Sequence, residues 1–259
     1  MGKVISLLNH KGGVGKTTST INIGAGMAQL GKRVLLLDLD PQANLTLAIG
    51  AQRTPITVYE AMRGEGELQP QPVKENLDVV VSTLDLSGAE MELINEAGRE
   101  FILQELFAPL IEDYDFILID CPPSLGLLTL NALSASDFVI IPLQAEFLAM
   151  QGLARIKQVI QKVKFRLNKK LQIAGVMATM FDGRKVLNRD VVQTIAKYFG
   201  PLVFETRIRD TVALAEAPAQ RQDIFSYSPN SAGAEDYLNL SREIIQRVEQ
   251  FEKQMAAQS

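Results

Sequence analysis

Lys11-Gly12-Gly13-Val14-Gly15-Lys16-Thr17-Thr18 lies between an apolar run, Val4 to Leu8, and a stretch that reads as a helix from Thr17. Glycines there let the backbone curl with its N–H groups inward, and the helix that follows adds its N-terminal partial positive charge. That combination suits a polyphosphate. Gly12, Gly13, Val14, Gly15 and Thr18 supply the cradle, Lys16 reaches the β- and γ-phosphates, and the Thr17 hydroxyl takes a Mg²⁺ position. The general phosphate-loop pattern, G-x-x-x-x-G-K-[ST], asks for glycine at its first position. Counting back five positions from Gly15, that place falls on His10, directly before Lys11. The glycine is missing, and a second lysine stands beside its place. The plainer alternative is a glycine-rich turn carrying two solvated lysines, which eight matching residues placed after a strand disfavour.

The pattern continues outward from the loop. Gly31 sits where a helix C-cap glycine belongs, and Val34–Leu37 follows as a second buried strand ending in Asp38-Leu39-Asp40-Pro41-Gln42. Strand, loop, helix, strand is the βαβ order of a parallel, doubly wound sheet. The sequence predicts further strands at 77–81, 115–120, 138–142 and 173–180, and helices at 99–111, 148–167, 186–199 and 234–255. Residues 62–76, rich in Gly, Pro, Glu and Gln, read as a surface loop too short to link domains. The expectation is one α/β domain over 1–259, a mostly parallel sheet with helices on both faces.

Composition narrows the class. With 47% hydrophobic and 22% charged residues, the chain has an ordinary globular make-up. A net charge of −4 gives no whole-molecule attraction to nucleic acid, so any such contact needs a local patch. The single cysteine, Cys121, forms no internal disulfide, which suits a reducing cytoplasm. No apolar run reaches the roughly 20 residues of a membrane span. The chain opens on a strand, and neither a signal peptide nor a preceding helix-turn-helix is expected.

The form K-G-G-x-G-K-T-T resembles the deviant Walker A box of the ParA/Soj and MinD ATPases, a branch of the P-loop NTPases. Ile117-Leu118-Ile119-Asp120 followed by Cys121-Pro122-Pro123-Ser124 resembles the ParA/Soj form of Walker B, and Asp38–Gln42 the switch I box. Pro142–Phe147 resembles P-x-Q-x-E-[YF], Thr179–Asp182 the segment near the adenine, Glu216-Ala217-Pro218 the turn on the base, and Ser228–Glu235 the start of the last helix. The resemblance runs from Lys3 to about Val248. It implies ATP and Mg²⁺ as cofactors. Lys11 then acts in trans on a partner subunit's nucleotide in an ATP-sandwich homodimer, and Lys16 is the ordinary phosphate lysine. Asp40 supports hydrolysis by positioning water, and Asp120 holds a Mg²⁺-bound water. Asp38 either completes the Mg²⁺ shell or is structural. Met180 and Pro218 are adenine contacts. His10 is a structural loop residue, and Cys121 an inert buried thiol.

Family members differ in what the ATP cycle moves. A [4Fe–4S] cluster shared across a dimer needs four thiolates, and one cysteine per chain supplies two. MinD-type membrane binding needs a basic amphipathic C-terminal helix. Here the polar face carries Glu235, Asp236, Glu243, Glu249 and Glu252 against Arg242, Arg247 and Lys253. No membrane contact is expected. DNA has a local signal. Between Phe147 and Phe181 there is no acidic residue, yet there are Arg155, Lys157, Lys162, Lys164, Arg166, Lys169 and Lys170. Arg184, Arg189, Arg207 and Arg209 extend that set, since phosphate contacts require only positive charge. The family's arginines in the loop before E-A-P and in the segment after D-P are absent. The preferred expectation is a slow, partner-stimulated partition ATPase, cytoplasmic and nucleoid-associated, working with a ParB-type protein. The alternatives are a MinD-like membrane positioner, a nucleotide-switch adaptor for protein cargo, and a P-loop ligase resembling dethiobiotin synthetase.

Overall fold

The computed structural model describes residues 2–146 and 149–257. Seven strands form one sheet: β1 (Lys3–Leu7), β2 (Val34–Asp38), β3 (Gln71–Lys74), β4 (Leu77–Val80), β5 (Phe116–Asp120), β6 (Phe138–Gln144) and β7 (Gln172–Thr179). Their spatial order is β3-β4-β2-β5-β1-β6-β7, and all pairs are parallel except β3 with β4. The helices are α1 (Lys16–Gln29), α2 (Asn44–Ala48), α3 (Val58–Met62), α4 (Ala89–Glu92), α5 (Ile102–Phe107), α6 (Leu127–Ala135), α7 (Ala149–Arg166), α8 (Val186–Phe199), α9 (Val212–Glu216), α10 (Ile224–Tyr227) and α11 (Ala232–Ala256).

The strands read as unbroken apolar runs because both of their faces are covered. In β2, Leu35 and Leu37 enter one core with residues of α3, α5, α6, α7 and α8. Val34 and Leu36 enter the other, with residues of α1, α10 and α11. Helix α1 comes unusually close to the sheet. A Cβ on Gly24 would lie 2.5 Å from Leu36 Cδ2, and one on Gly26 2.5 Å from Ser241 Oγ of α11. Both glycines therefore set packing distance.

Helix α11 packs as a core helix. Tyr237, Leu240, Ile244 and Val248 are buried along one face, each worth about 1.5–3 kcal/mol of transfer free energy. Among the described residues no helix is long and apolar enough to cross a membrane.

Three expectations need correction. The 62–76 stretch is not all loop, because Gln71–Lys74 pairs antiparallel with β4 at the sheet edge. Pro72 is tolerated there because an edge strand has a side with no ladder to donate to. The 99–111 helix shrinks to Ile102–Phe107, and α6 forms where no helix was expected. The polar residues of α6, Thr129, Asn131 and Ser134, are buried along with its leucines and alanines, so the segment has no amphipathic period to read. Phe147, which closes the P-x-Q-x-E-[YF] box, and Leu148, the expected start of α7, lie outside the described residues.

Strand β1 has β5 on one side and β6 on the other, so successive crossovers leave in opposite directions around it. Ligands of open α/β sheets bind at the carboxyl ends of such strands. The loop after β1 opens there.

Candidate active site

The loop between β1 and α1 uses glycine where only glycine is unstrained. Gly13 has φ 74° and Gly15, the residue capping α1, φ 83°. A Cβ on Gly12 or Gly13 would meet nothing within 4 Å, so that side of the loop is open. Two polar side chains pin it, Asn9 from within the loop and Thr179 from the end of β7. Asn9 accepts the Lys11 N–H at 3.0 Å and donates to the Pro142 carbonyl at 2.7 Å, while Thr179 Oγ1 donates to the Val14 carbonyl at 2.8 Å. Asn9 carries no motif signal, so only the fold shows its role. Lys16 is buried, its Nζ 3.5 Å from the Lys11 carbonyl.

A cleft of about 660 Å³ opens over this loop, lined among others by Gly12, Gly13, Lys16, Thr17, Thr18, Asp40, Pro123, Met180 and Pro218. That volume suits a nucleotide. Met180 and Pro218, 38 residues apart in sequence, thus reach the same cleft as the glycine loop. Met180 holds a left-handed backbone, φ 49°, at the end of β7.

Of the three carboxylates, Asp40 lines the cleft, while Asp38 and Asp120 are fully buried. Thr17 Oγ1 donates to Asp120 Oδ2 at 2.6 Å, and Asp120 Oδ1 is buried with no partner. Burial, reinforced by the neighbouring Asp38 charge and opposed by the Thr17 hydrogen bond, raises the Asp120 pKa to about 8. A buried carboxylate left half-satisfied fits a hydrated divalent cation beside the Thr17 hydroxyl. Mg²⁺ favours few protein ligands plus water and phosphate. Among the described residues no group of three or more His, Cys, Asp or Glu could hold a metal ion. The cation supplies charge neutralisation to the phosphates when bound.

Asp38 is placed differently. Its oxygens accept the Asp40 N–H at 3.2 Å, the Thr46 N–H at 2.8 Å and the Thr46 hydroxyl at 2.7 Å. Burial raises its pKa to about 6 against these bonds. Thr46 Oγ1 also accepts the Ser82 N–H at 3.0 Å, and Ser82 Oγ donates to the Asp40 carbonyl at 3.0 Å. Asp38 is thus tied into the loop that presents Asp40. Thr46 and Ser82 were not legible as site residues, because neither belongs to a motif. Asp40 itself lines the cleft and accepts the Gln42 N–H at 3.0 Å.

Lys11 is half exposed and forms an ion pair with Glu146 of its own chain. His10 sits against Gly152, where a Cβ would lie 2.7 Å from its Cε1. Its pKa is lowered, by burial first and then by the charges of Arg155 and Lys16. Burial pushes the Cys121 thiol up to about 12, which keeps it unreactive.

The AAA domain family model AAA_31 matches residues 2–173. The chain is 44% identical to the sporulation initiation inhibitor protein Soj of Bacillus subtilis, over 94% of this chain and 98% of that protein. It is 46% identical to the chromosome-partitioning ATPase Soj of Treponema pallidum, over 95% and 98%. The chain belongs to the Soj/ParA family of partition ATPases. Solved structures agree on the fold. The cell division ATPase MinD of Pyrococcus furiosus superposes with a TM-score of 0.80 at 25% identity, over 95% of this chain and 99% of that one. A Mycobacterium smegmatis structure titled cobyrinic acid a,c-diamide synthase, with bound ADP and magnesium, gives 0.85 at 35% identity, over 96% of both chains. This member of the Soj/ParA family is an ATPase that uses ATP with Mg²⁺.

Its basic residues do not form a single stripe. On α7, Arg155, Lys162 and Arg166 are spaced by seven and four residues, which places them on one side of the helix. Lys157 and Lys164 fall on another side. There Lys157 Nζ lies 5.7 Å over the Phe199 ring and Lys164 donates to Gln172 at 3.0 Å. Lys169 and Lys170 are exposed just beyond the helix. Arg184 is held by Asp182 at 2.9 and 3.0 Å, and Arg189 donates to the Gly183 carbonyl at 2.7 Å. Arg207 stacks 4.8 Å over the Phe181 ring. Arg209 is held by Asp236 and Glu235, with contacts down to 2.6 Å.

Proposed function

We propose that this partition ATPase is a single-domain protein that forms an ATP-sandwich homodimer, binds duplex DNA without sequence preference in that state, and positions chromosome, plasmid or other cargo with a ParB-type partner. The work is cytoplasmic and nucleoid-associated. The observation that carries the DNA reading is the acid-free stretch around α7, which gathers Arg155, Lys162 and Arg166 on one helix side. Counterion release makes such contacts strongly salt-dependent. Three contacts per protomer, doubled in a dimer, give a log–log salt slope of about −5.

The chemistry follows from positioning. Lys16 and the loop N–H groups hold the phosphates, and Thr17 and Asp120 hold the hydrated Mg²⁺. Lys11 leaves Glu146 to place its charge on the partner's nucleotide, and Asp40 orients the attacking water. A lone carboxylate is a weak base toward water, so turnover is slow until a partner improves the geometry. Asp40→Ala should accumulate ATP dimers. A variant that stays monomeric in ATP by light scattering removes that role.

Relatives at 44–46% identity bear Soj names, one of them chromosome-partitioning ATPase, which favours partition over ligase chemistry. The test is binding to random-sequence duplex DNA with ATP, ADP or no nucleotide, at two salt concentrations. ATP-dependent, salt-sensitive binding supports the reading. Intact ATP dimerisation without DNA binding in any state rejects it in favour of a protein or membrane scaffold.

A further inference from the structure

Two aromatic rings stand out of the protein on neighbouring helices. Among the described residues, Phe165 (80% exposed) and Tyr198 (72%) are the aromatic side chains left open to solvent, and every other ring is buried or half-buried. Each lies one residue before its helix ends, Phe165 on α7 and Tyr198 on α8. Both helices return the chain between parallel segments, α7 from β6 to β7 and α8 from β7 to Val203, which pairs parallel with Val176. Both therefore end toward the amino ends of the strands, at the opposite edge of the sheet from the phosphate loop. The two helices lie side by side, with Lys157 of α7 over the Phe199 ring of α8.

The setting of the rings is polar and basic. One turn before Phe165 come exposed Gln161 and Lys162, and exposed Arg166 and Lys169 follow it. Lys197 adjoins Tyr198, and the one acidic residue of α8, Asp190, lies about two turns earlier. A membrane-binding face needs contiguous apolar surface, which glutamines and cations interrupt here. A duplex offers such a face its phosphates, but its bases are stacked out of reach of a ring. An unpaired strand offers both, phosphates for the cations and base faces on which aromatic rings stack.

We propose that the ends of α7 and α8 together form a stacking platform for single-stranded DNA. Phe165 and Tyr198 lie against unpaired bases, and Lys162, Arg166, Lys169 and Lys197 hold the phosphates. The platform adds a second substrate class to the DNA-binding reading above, and rests on that reading for the phosphate contacts of α7 alone. Both rings belong to one protomer, so binding a single strand needs no ATP, whereas duplex binding needs the ATP dimer.

The probe is fluorescein-labelled oligothymidylate of about 20 nucleotides, compared with a random-sequence duplex of equal length in the presence of ATP. Binding is read by anisotropy at low salt. Phe165→Ala/Tyr198→Ala should weaken oligothymidylate binding at least about tenfold, as loss of base stacking predicts, and duplex binding by under about threefold. Lys162→Ala/Arg166→Ala should weaken both. The chain has no tryptophan, so Phe165→Trp introduces a unique reporter. It should keep the oligothymidylate affinity within about threefold and lose fluorescence as bases stack on it. No binding of oligothymidylate, no effect of removing both rings, or an unquenched Phe165→Trp at saturation overturns the platform. So does equal loss of oligothymidylate and duplex binding, or binding to phosphatidylglycerol/phosphatidylcholine vesicles that the same double substitution abolishes. Failure of ATP-dependent duplex binding alone rejects the duplex reading and does not alter the oligothymidylate result.

Discussion

Thr46→Val tests whether the Asp38 network shapes the catalytic loop. Valine keeps the shape of threonine but removes both hydrogen bonds of the hydroxyl. Asp38 then loses a donor to a buried charge, worth about 1.5–3 kcal/mol, and the Ser82 N–H loses its acceptor, worth about 1–3 kcal/mol. Extra apolar contact from the new methyl offsets part of this. The expected loss is about 3 kcal/mol at pH 8, lowering the thermal midpoint by about 6–12 °C. Thr46→Ser keeps both bonds and should lose about 1 kcal/mol, the worth of one methyl. A pH dependence identifies the cause. The folded Asp38 pKa, about 6, lies above its unfolded value, so Asp38 lowers stability as pH rises through that window. Removing the Thr46 donor raises the folded value further and steepens that fall. The valine deficit should therefore be larger at pH 8 than at pH 5. Urea denaturation without nucleotide, at both pH values, measures it. A valine variant within about 0.5 kcal/mol of wild type at pH 8, or a deficit that shrinks as pH rises, would falsify the hydrogen-bond account.

The remaining predictions concern charge. With Mg²⁺ absent, Asp120 has a folded pKa of about 8, above its unfolded value, so its contribution is present below about pH 4 and lost as pH rises toward 8. Asp120→Asn, which still accepts the Thr17 hydroxyl, should flatten the fall of stability between pH 5 and 8. An unchanged slope in calorimetry refutes that assignment. Lys16→Ala should weaken ATP binding by about 10–100-fold, as loss of a charge-assisted phosphate contact predicts. Lys11→Ala should leave ATP affinity within about threefold while abolishing dimerisation, since in one chain Lys11 meets Glu146 instead of the cleft. Equal losses in a fluorescent-nucleotide titration would show that the two lysines share one role. Lys162→Ala or Arg166→Ala should each reduce the salt slope of DNA binding by about 2 per dimer. Arg209→Ala should leave that slope unchanged, because its charge is already spent on Asp236 and Glu235.

The glycine loop, the two carboxylate-terminated strands and the parallel sheet were legible in the sequence because each rests on local rules. Gly13 and Gly15 take positive φ, which other residues adopt at a cost, and a strand buried on both faces must be apolar throughout. Those rules need only neighbours in sequence. Tertiary structure decided the rest. Asn9 ties the loop to Pro142 of β6 and Thr179 of β7 ties it at Val14, contacts that only the fold creates, and Thr46 and Ser82 become site residues through bonds spanning 8 and 36 positions. The basic residues show the same limit. Composition reveals that they are many, but helical phase and local ion pairs separate Arg155, Lys162 and Arg166 from Arg184 and Arg209. Helix α6 escaped because a segment that buries its polar and apolar residues alike has no amphipathic period, and β3 because an edge strand holding proline has little pattern. Local chemistry writes the phosphate loop into the sequence, whereas which side chains converge on it depends on chain crossings that no local pattern encodes.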